Sequence, residues 1–223
     1  MSKVKICGIR RKEDVMYVNK YLPEYIGFVF APSKRRVSFS EAAHLAKSLE
    51  PSIKKVGVFV NESCDNIIEA IKICELDVLQ IHGDERPVFF EELNDKLLKL
   101  YPTESPNPLV AERKRIQIWK AFRVRDEITL LEMEKYKADG FVLDTFVEGS
   151  YGGVGKIFDW RLAVNAKKYG NIILAGGLSS ANLISARNMV NPMVLDVSSG
   201  VETDGFKDEK KIGDFISMAR SYE

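Results

Sequence analysis

Apolar runs of strand length recur eight times along the 223 residues, and each is followed by a stretch with helical spacing. The runs are Lys3–Ile9, Tyr25–Ala31, Lys55–Val60, Asp77–Gly83, Ile116–Ala121, Gly140–Asp144, Asn171–Gly177 and Met193–Gly200. The helical stretches run over Arg11–Leu22, Ser40–Leu49, Ser63–Glu75, Pro87–Tyr101, Glu127–Lys137, Trp160–Tyr169, Ser179 or Ser180 to Met189, and Asp208–Tyr222. Ser40 reads as an N-cap. An unbroken strand-then-helix order demands parallel strands joined by right-handed crossovers. Eight such units can close into a (β/α)₈ TIM barrel of a single domain, near the usual ~250 residues. A doubly wound open sheet is the competitor, but it leaves its outer strands as edges. Here the last run is as apolar as the middle ones, which favours closure.

The spacer from Pro102 to Arg115 is the longest, and reads as an extended surface connection rather than a domain boundary. A net charge of +1 argues against a nucleic-acid or membrane surface. Three cysteines, Cys7, Cys64 and Cys74, fit neither a disulfide framework nor a zinc spacing. No run approaches the ~20 apolar residues of a membrane span. No signal-peptide pattern opens the chain. The expected compartment is therefore cytoplasmic and reducing.

Barrel chemistry sits at the C-terminal ends of the strands. Cys7, His82, Asp144 and Asp196 fall at four such ends, each sharing a strand face with an earlier residue of its run. One carboxylate at a strand end is commonplace; four ionisable groups at equivalent ends make a candidate site. Lys5 lies below Cys7 on the same face and could favour its thiolate, although Asp196 next door would oppose it.

Three Gly-rich segments follow strands six to eight: Gly152-Gly153-Val154-Gly155, Gly176-Gly177 and Ser198-Ser199-Gly200. Glycine lets backbone N–H groups approach a phosphate closely, and barrels often hold phosphates after strands seven and eight. Lys34-Arg35-Arg36 adds a cationic patch, and a guanidinium there could grip a carboxylate. With His44 and His82 the sole histidines, metal chemistry looks unsupported. Trp119 and Trp160 are expected in the outer packing shell.

The set Lys5-Ile6-Cys7-Gly8-Ile9, Gly27-Phe28-Val29-Phe30, Ser33-Lys34-Arg35, Gly57–Asn61 and Gln80-Ile81-His82-Gly83 resembles the phosphoribosylanthranilate isomerases. Leu143-Asp144-Thr145, Gly152–Trp160, Gly176-Gly177-Leu178 and Asp196–Glu202 extend the likeness, in order, over essentially the whole chain. The resemblance implies a (β/α)₈ barrel of the tryptophan pathway. Its reaction is the Amadori rearrangement of N-(5-phosphoribosyl)anthranilate to 1-(2-carboxyphenylamino)-1-deoxyribulose 5-phosphate, with no metal or organic cofactor. By the same likeness Cys7 is the general base and Asp144 the general acid. Arg35 holds the anthranilate carboxylate, with neighbouring Arg36 as the alternative, and His82 and Asp196 line the pocket. Gly153, Gly155, Gly176, Gly177, Ser199 and Gly200 form the phosphate cradle. The implied partner is this small molecule, bound by a monomer or homodimer. The rival readings are another phosphosugar isomerase or lyase, and a phosphate-binding barrel without catalysis.

Overall fold

The structure is a computed structural model that describes residues 2–101, 115–145 and 158–221. Eight parallel strands close into one barrel in sequence order. They are β1 Lys3–Cys7, β2 Tyr25–Val29, β3 Lys54–Phe59, β4 Val78–Ile81, β5 Gln117–Val124, β6 Gly140–Thr145, β7 Ile172–Leu174 and β8 Val194–Val197. Closure comes from β1 pairing with β8 on one side and β2 on the other, with Lys5 level with Asp196 and Cys7 with Gly27. The helices among the described residues are α1 Lys12–Tyr21, α2 Phe39–Ala46, α3 Cys64–Cys74, α4 Pro87–Leu100, α5 Glu127–Leu131, α6 Trp160–Ala166, α7 Leu183–Val190 and α8 Glu209–Arg220. None of the helices described is long and apolar enough to cross a membrane.

Period-two alternation sorts each strand into two cores. Val4, Ile6, Phe28, Leu79, Ile81, Leu143 and Leu195 face outward and bury against the helices. Tyr25, Val56, Val78, Trp119, Val142, Ile173 and Val194 face inward and fill the barrel. Above this apolar plug the inward positions turn polar: Lys5, Gln80, Asp144 and Asp196.

Several expectations need correction. Trp119 lies fully buried inside the barrel, edge-on to Tyr25 with ring centroids 5.1 Å apart, rather than in the outer shell. Trp160 does pack against the outer core. Helix α2 is capped by Ser38, not Ser40: Ser38 Oγ accepts from the Glu41 N–H at 3.2 Å, and Glu41 Oε2 accepts from the Ser38 N–H at 2.7 Å. That reciprocal pair satisfies two end groups at once, so it outcompetes a cap two residues later. Helix α7 begins at Leu183 behind Asn182, because the Asn182 carboxamide ties back the loop at the Ser179 N–H and the Gly177 carbonyl. The segment after β5 tightens from α-helix to a 3₁₀ turn over Glu132–Lys135, and that after β6 does so over Lys167–Tyr169. A short hairpin of β9 Glu202–Thr203 and β10 Phe206–Lys207 was not expected. The 102–114 connection lies outside the described residues.

Candidate active site

The inward polar residues open into a cavity of about 620 Å³ at the C-terminal end of the barrel. Cys7, Arg35, His82, Asp144 and Asp196 all line it, as do Gly176, Gly177 and Ser199. That volume is in the range of small-molecule sites.

Cys7 ends β1 and is partly buried. Space for its sulfur comes from Gly27: a Cβ there would lie 2.8 Å from Cys7 Sγ. Burial pushes the thiol's pKa up, the positive charges of Lys5 and Lys207 pull it down, and Asp196 pushes it up again, leaving it raised. Lys5 therefore does not activate the thiol outright in the resting site. It is fully buried and its ammonium contacts Asp196 Oδ2 at 2.7 Å. Burial alone would lower the Lys5 pKa, but Asp196 and Cys7 outweigh it and the group stays charged. Register explains the contact, since Lys5 and Asp196 are Cα partners across the closing seam.

Asp144 ends β6. Its Oδ1 accepts from the Thr145 N–H at 2.7 Å, and its Oδ2 lies 3.5 Å from His82 Nε2. The Gln80 amide nitrogen sits 2.8 Å from His82 Nδ1. With that contact on Nδ1, the Nε2 edge of the ring faces Asp144. Arg35 and Arg36 diverge. Arg36 is exposed, whereas Arg35 is buried at the cavity wall and binds Glu202 through Nε and Nη2, both at 2.7 Å. Gly8 accommodates it with φ +88°, and a Cβ there would meet Arg35 Cδ at 2.6 Å.

Gly176 and Gly177 take φ of +79° and +69° after β7, a backbone only glycine adopts easily. A Cβ on Gly176 would strike the Thr145 side chain. Ser199 opens the 3₁₀ turn Ser199–Val201, and Gly200 packs behind it against the Leu178 carbonyl. Gly153 and Gly155, the remaining expected cradle residues, lie outside the described residues. Among the described residues no group of three or more His, Cys, Asp or Glu side chains could hold a metal ion.

Sequence reasoning missed the supporting roles of Gly27, Gln80, Glu202 and Lys207. Lys207 is 4% exposed and donates to Glu202 Oε1 at 2.8 Å. The signal that could have found the last two is Asp204-Gly205, a pair with φ of +51° and +78° that suits a two-residue hairpin turn.

Comparison with known proteins gives the family. The family model "N-(5'phosphoribosyl)anthranilate (PRA) isomerase" matches residues 4–218. An N-(5'-phosphoribosyl)anthranilate isomerase from Acetivibrio thermocellus is 50% identical over 221 residues, spanning 99% of this chain and 96% of its own. One from Clostridium acetobutylicum is 44% identical over the whole of both chains. Among solved structures, the phosphoribosyl anthranilate isomerase of Thermotoga maritima superposes with a TM-score of 0.81 at 35% identity, covering 99% of each chain. Another isomerase, solved with reduced 1-(o-carboxyphenylamino)-1-deoxyribulose 5-phosphate, gives 0.80 at 31% identity over 99% of each chain. Matched from end to end by model, relatives and barrel, the chain belongs to the N-(5'-phosphoribosyl)anthranilate isomerase family.

Proposed function

We propose that this chain catalyses the Amadori rearrangement of N-(5'-phosphoribosyl)anthranilate, a step of tryptophan biosynthesis, with Cys7 as general base and Asp144 as general acid. The observation that carries the reading is that both side chains line one cavity, from β1 and β6. These strands are three places apart around the barrel, so their ends approach a ligand from different sides.

Ring opening needs a proton on the ribose ring oxygen as the bond to the anomeric carbon breaks, and Asp144 supplies it. The nitrogen lone pair then forms an iminium. Cys7 removes the proton from the neighbouring carbon, and the electron pair flows to nitrogen to give the enolamine, which tautomerises to the aminoketone. One proton is given and one taken, as an isomerisation requires. Such acid–base contributions are worth about 10²–10⁴-fold each.

Arg35 receives the anthranilate carboxylate, and His82 and Asp196 shape the pocket between the two ends of the substrate. Gly176, Gly177, Ser199 and Gly200, with Gly153 and Gly155 from the loop after β6, hold the phosphate. The reaction draws on no metal or organic cofactor. The protein works on this small molecule in the cytoplasm, as one barrel domain in a monomer or homodimer.

The test is the loss of anthranilate-type fluorescence when substrate is mixed with purified protein alone. Cys7→Ala and Asp144→Asn should each nearly abolish turnover while still binding the reduced product analogue. Normal turnover in either variant removes that residue from its role.

A further inference from the structure

Behind Arg35 lie two buried charges, Glu202 and Lys207, that the proposed chemistry does not use. Glu202 on β9 takes the Nε–Nη2 edge of Arg35 with both oxygens, at 2.7 Å each. Lys207 on β10 donates to Glu202 Oε1 at 2.8 Å and to the Ser198 carbonyl at 3.0 Å. Ser198 Oγ in turn donates to the Cys7 carbonyl at 3.0 Å, so the set ends at the backbone of the proposed base. Lys5 and Asp196 complete it from the barrel interior.

The charges do not cancel. Lys5, Arg35 and Lys207 stand against Asp196 and Glu202, and all five side chains are at most 9% exposed. One positive charge is left over beside the cavity that Arg35 and Asp196 line. Among the described residues, Arg35 makes no hydrogen bond through Nη1, the atom on its other edge. The hairpin is also tied to Arg10 and Arg11. Arg10 Nη2 donates to the Gly205 carbonyl at 2.7 Å and Arg11 Nη2 to the Lys207 carbonyl at 3.1 Å. Both guanidinium groups lie over the Phe206 ring, 4.5 and 4.4 Å from its centroid.

We propose that Glu202 and Lys207 are positioning residues: Glu202 turns the free edge of Arg35 toward a ligand carboxylate, and Lys207 supplies the surplus buried charge that an anion must match. Either of two anions can match it, the ligand carboxylate or the thiolate of Cys7. The groups facing that thiol are Lys5 on its own strand, Asp196 on β8, Lys207 on β10 and Arg35 after β2. The carboxylate half of the inference rests on the proposed function; the charge half does not.

The test measures KM and kcat by fluorescence, and the pH midpoint of Cys7 alkylation by iodoacetamide without substrate, read on the Cys7 peptide. Lys207→Met and Glu202→Gln should each raise KM about tenfold, the scale of one charge-assisted hydrogen bond. The alkylation midpoint should move in opposite directions, up by about one pH unit in Lys207→Met and down in Glu202→Gln. Lys207→Arg should restore both readings. A merely structural role would shift the midpoints the same way or not at all, and that result, or an unchanged KM in both variants, overturns the proposal. If thermal melting shows one variant unfolded, the other decides. If wild-type protein shows no turnover, the functional reading fails, and the alkylation midpoints alone decide the charge half.

Discussion

Gly27 and Cys7 are register partners on adjacent strands, and the side chain that Gly27 lacks is the room the Cys7 thiol occupies. A Cβ on Gly27 would also come within 3.2 Å of Cys7 Cα and 3.3 Å of Lys5 Cε. The strand cannot slide aside, because the Gly27 carbonyl accepts from the Gly8 and Ile9 N–H groups at 2.8 and 3.0 Å. Gly27→Ala should therefore fold but push the sulfur off its position. A displacement near 1 Å can cost about 10²-fold in rate. We expect that loss in kcat with KM little changed, measured by steady-state fluorescence; wild-type kcat would show that the thiol tolerates the shift.

The two neighbouring arginines should separate cleanly. Arg35→Lys keeps the charge but loses the planar fork that engages Glu202 and a carboxylate together. KM should rise about tenfold or more. Arg36 is exposed and outside the cavity wall, so Arg36→Lys should leave KM within about twofold, the scale of a surface substitution. Titration of both variants with the reduced product analogue checks this. Equal effects would mean that the carboxylate sits elsewhere.

Much of this arrangement was legible in the sequence, for a physical reason. Strand-then-helix order dictates topology, and period-two alternation from Lys5 to Cys7 dictates which side chains meet at the barrel mouth. Part of what escaped depended on information that a linear pattern does not hold. Ile116–Ala121 carries one polar residue on each face, Gln117 beside Trp119 and Lys120 beside Ile118, so alternation does not tell whether Trp119 points to the helices or into the barrel. Ser38 and Ser40 are chemically the same cap; only the returning Glu41 carboxylate distinguishes them. Strands β9 and β10 are two residues long, too short for any periodicity, and only the Asp204-Gly205 turn between them marks the hairpin. The balance at Cys7 was also out of reach, because the burial that raises its pKa is a property of the closed barrel.

Lys120 points outward from β5 into the layer under the loops, and predicts a stability effect away from the cavity. Its ammonium donates to the Gly83 carbonyl at 2.7 Å and lies 3.3 Å from Glu85 Oε2, with both side chains 4% exposed. Phe90, Phe122 and Tyr136 surround it with ring centroids 5.6–6.0 Å away. Burial lowers the Lys120 pKa while Glu85 opposes the shift. Lys120→Met would leave the Glu85 carboxylate buried without its counter-charge, which typically costs about 3–5 kcal/mol. Urea unfolding should show that loss, and adding Glu85→Gln should recover much of it. A neutral single variant would mean that Glu85 finds water or another cation.

Acid should weaken the hairpin's ion cluster over a definable window. Burial alone pushes the Glu202 carboxyl up, but hydrogen bonds and charge from Arg35 and Lys207 outweigh it and hold its pKa at about 2, against 4.5 for an ordinary glutamate. A carboxyl whose pKa falls on folding contributes stability that is complete above the unfolded value and lost as pH drops through the folded one. Here the contribution is on the order of 3 kcal/mol, present at neutral pH and disappearing between about 4.5 and 2. Glu202→Gln has no carboxyl to protonate at this position, so its unfolding free energy should fall less steeply across that window than the wild type's. Urea titrations at several pH values between 7 and about 2.5 would measure the difference. Parallel acid profiles for the two proteins would show that Arg35 and Lys207 do not hold Glu202 ionised.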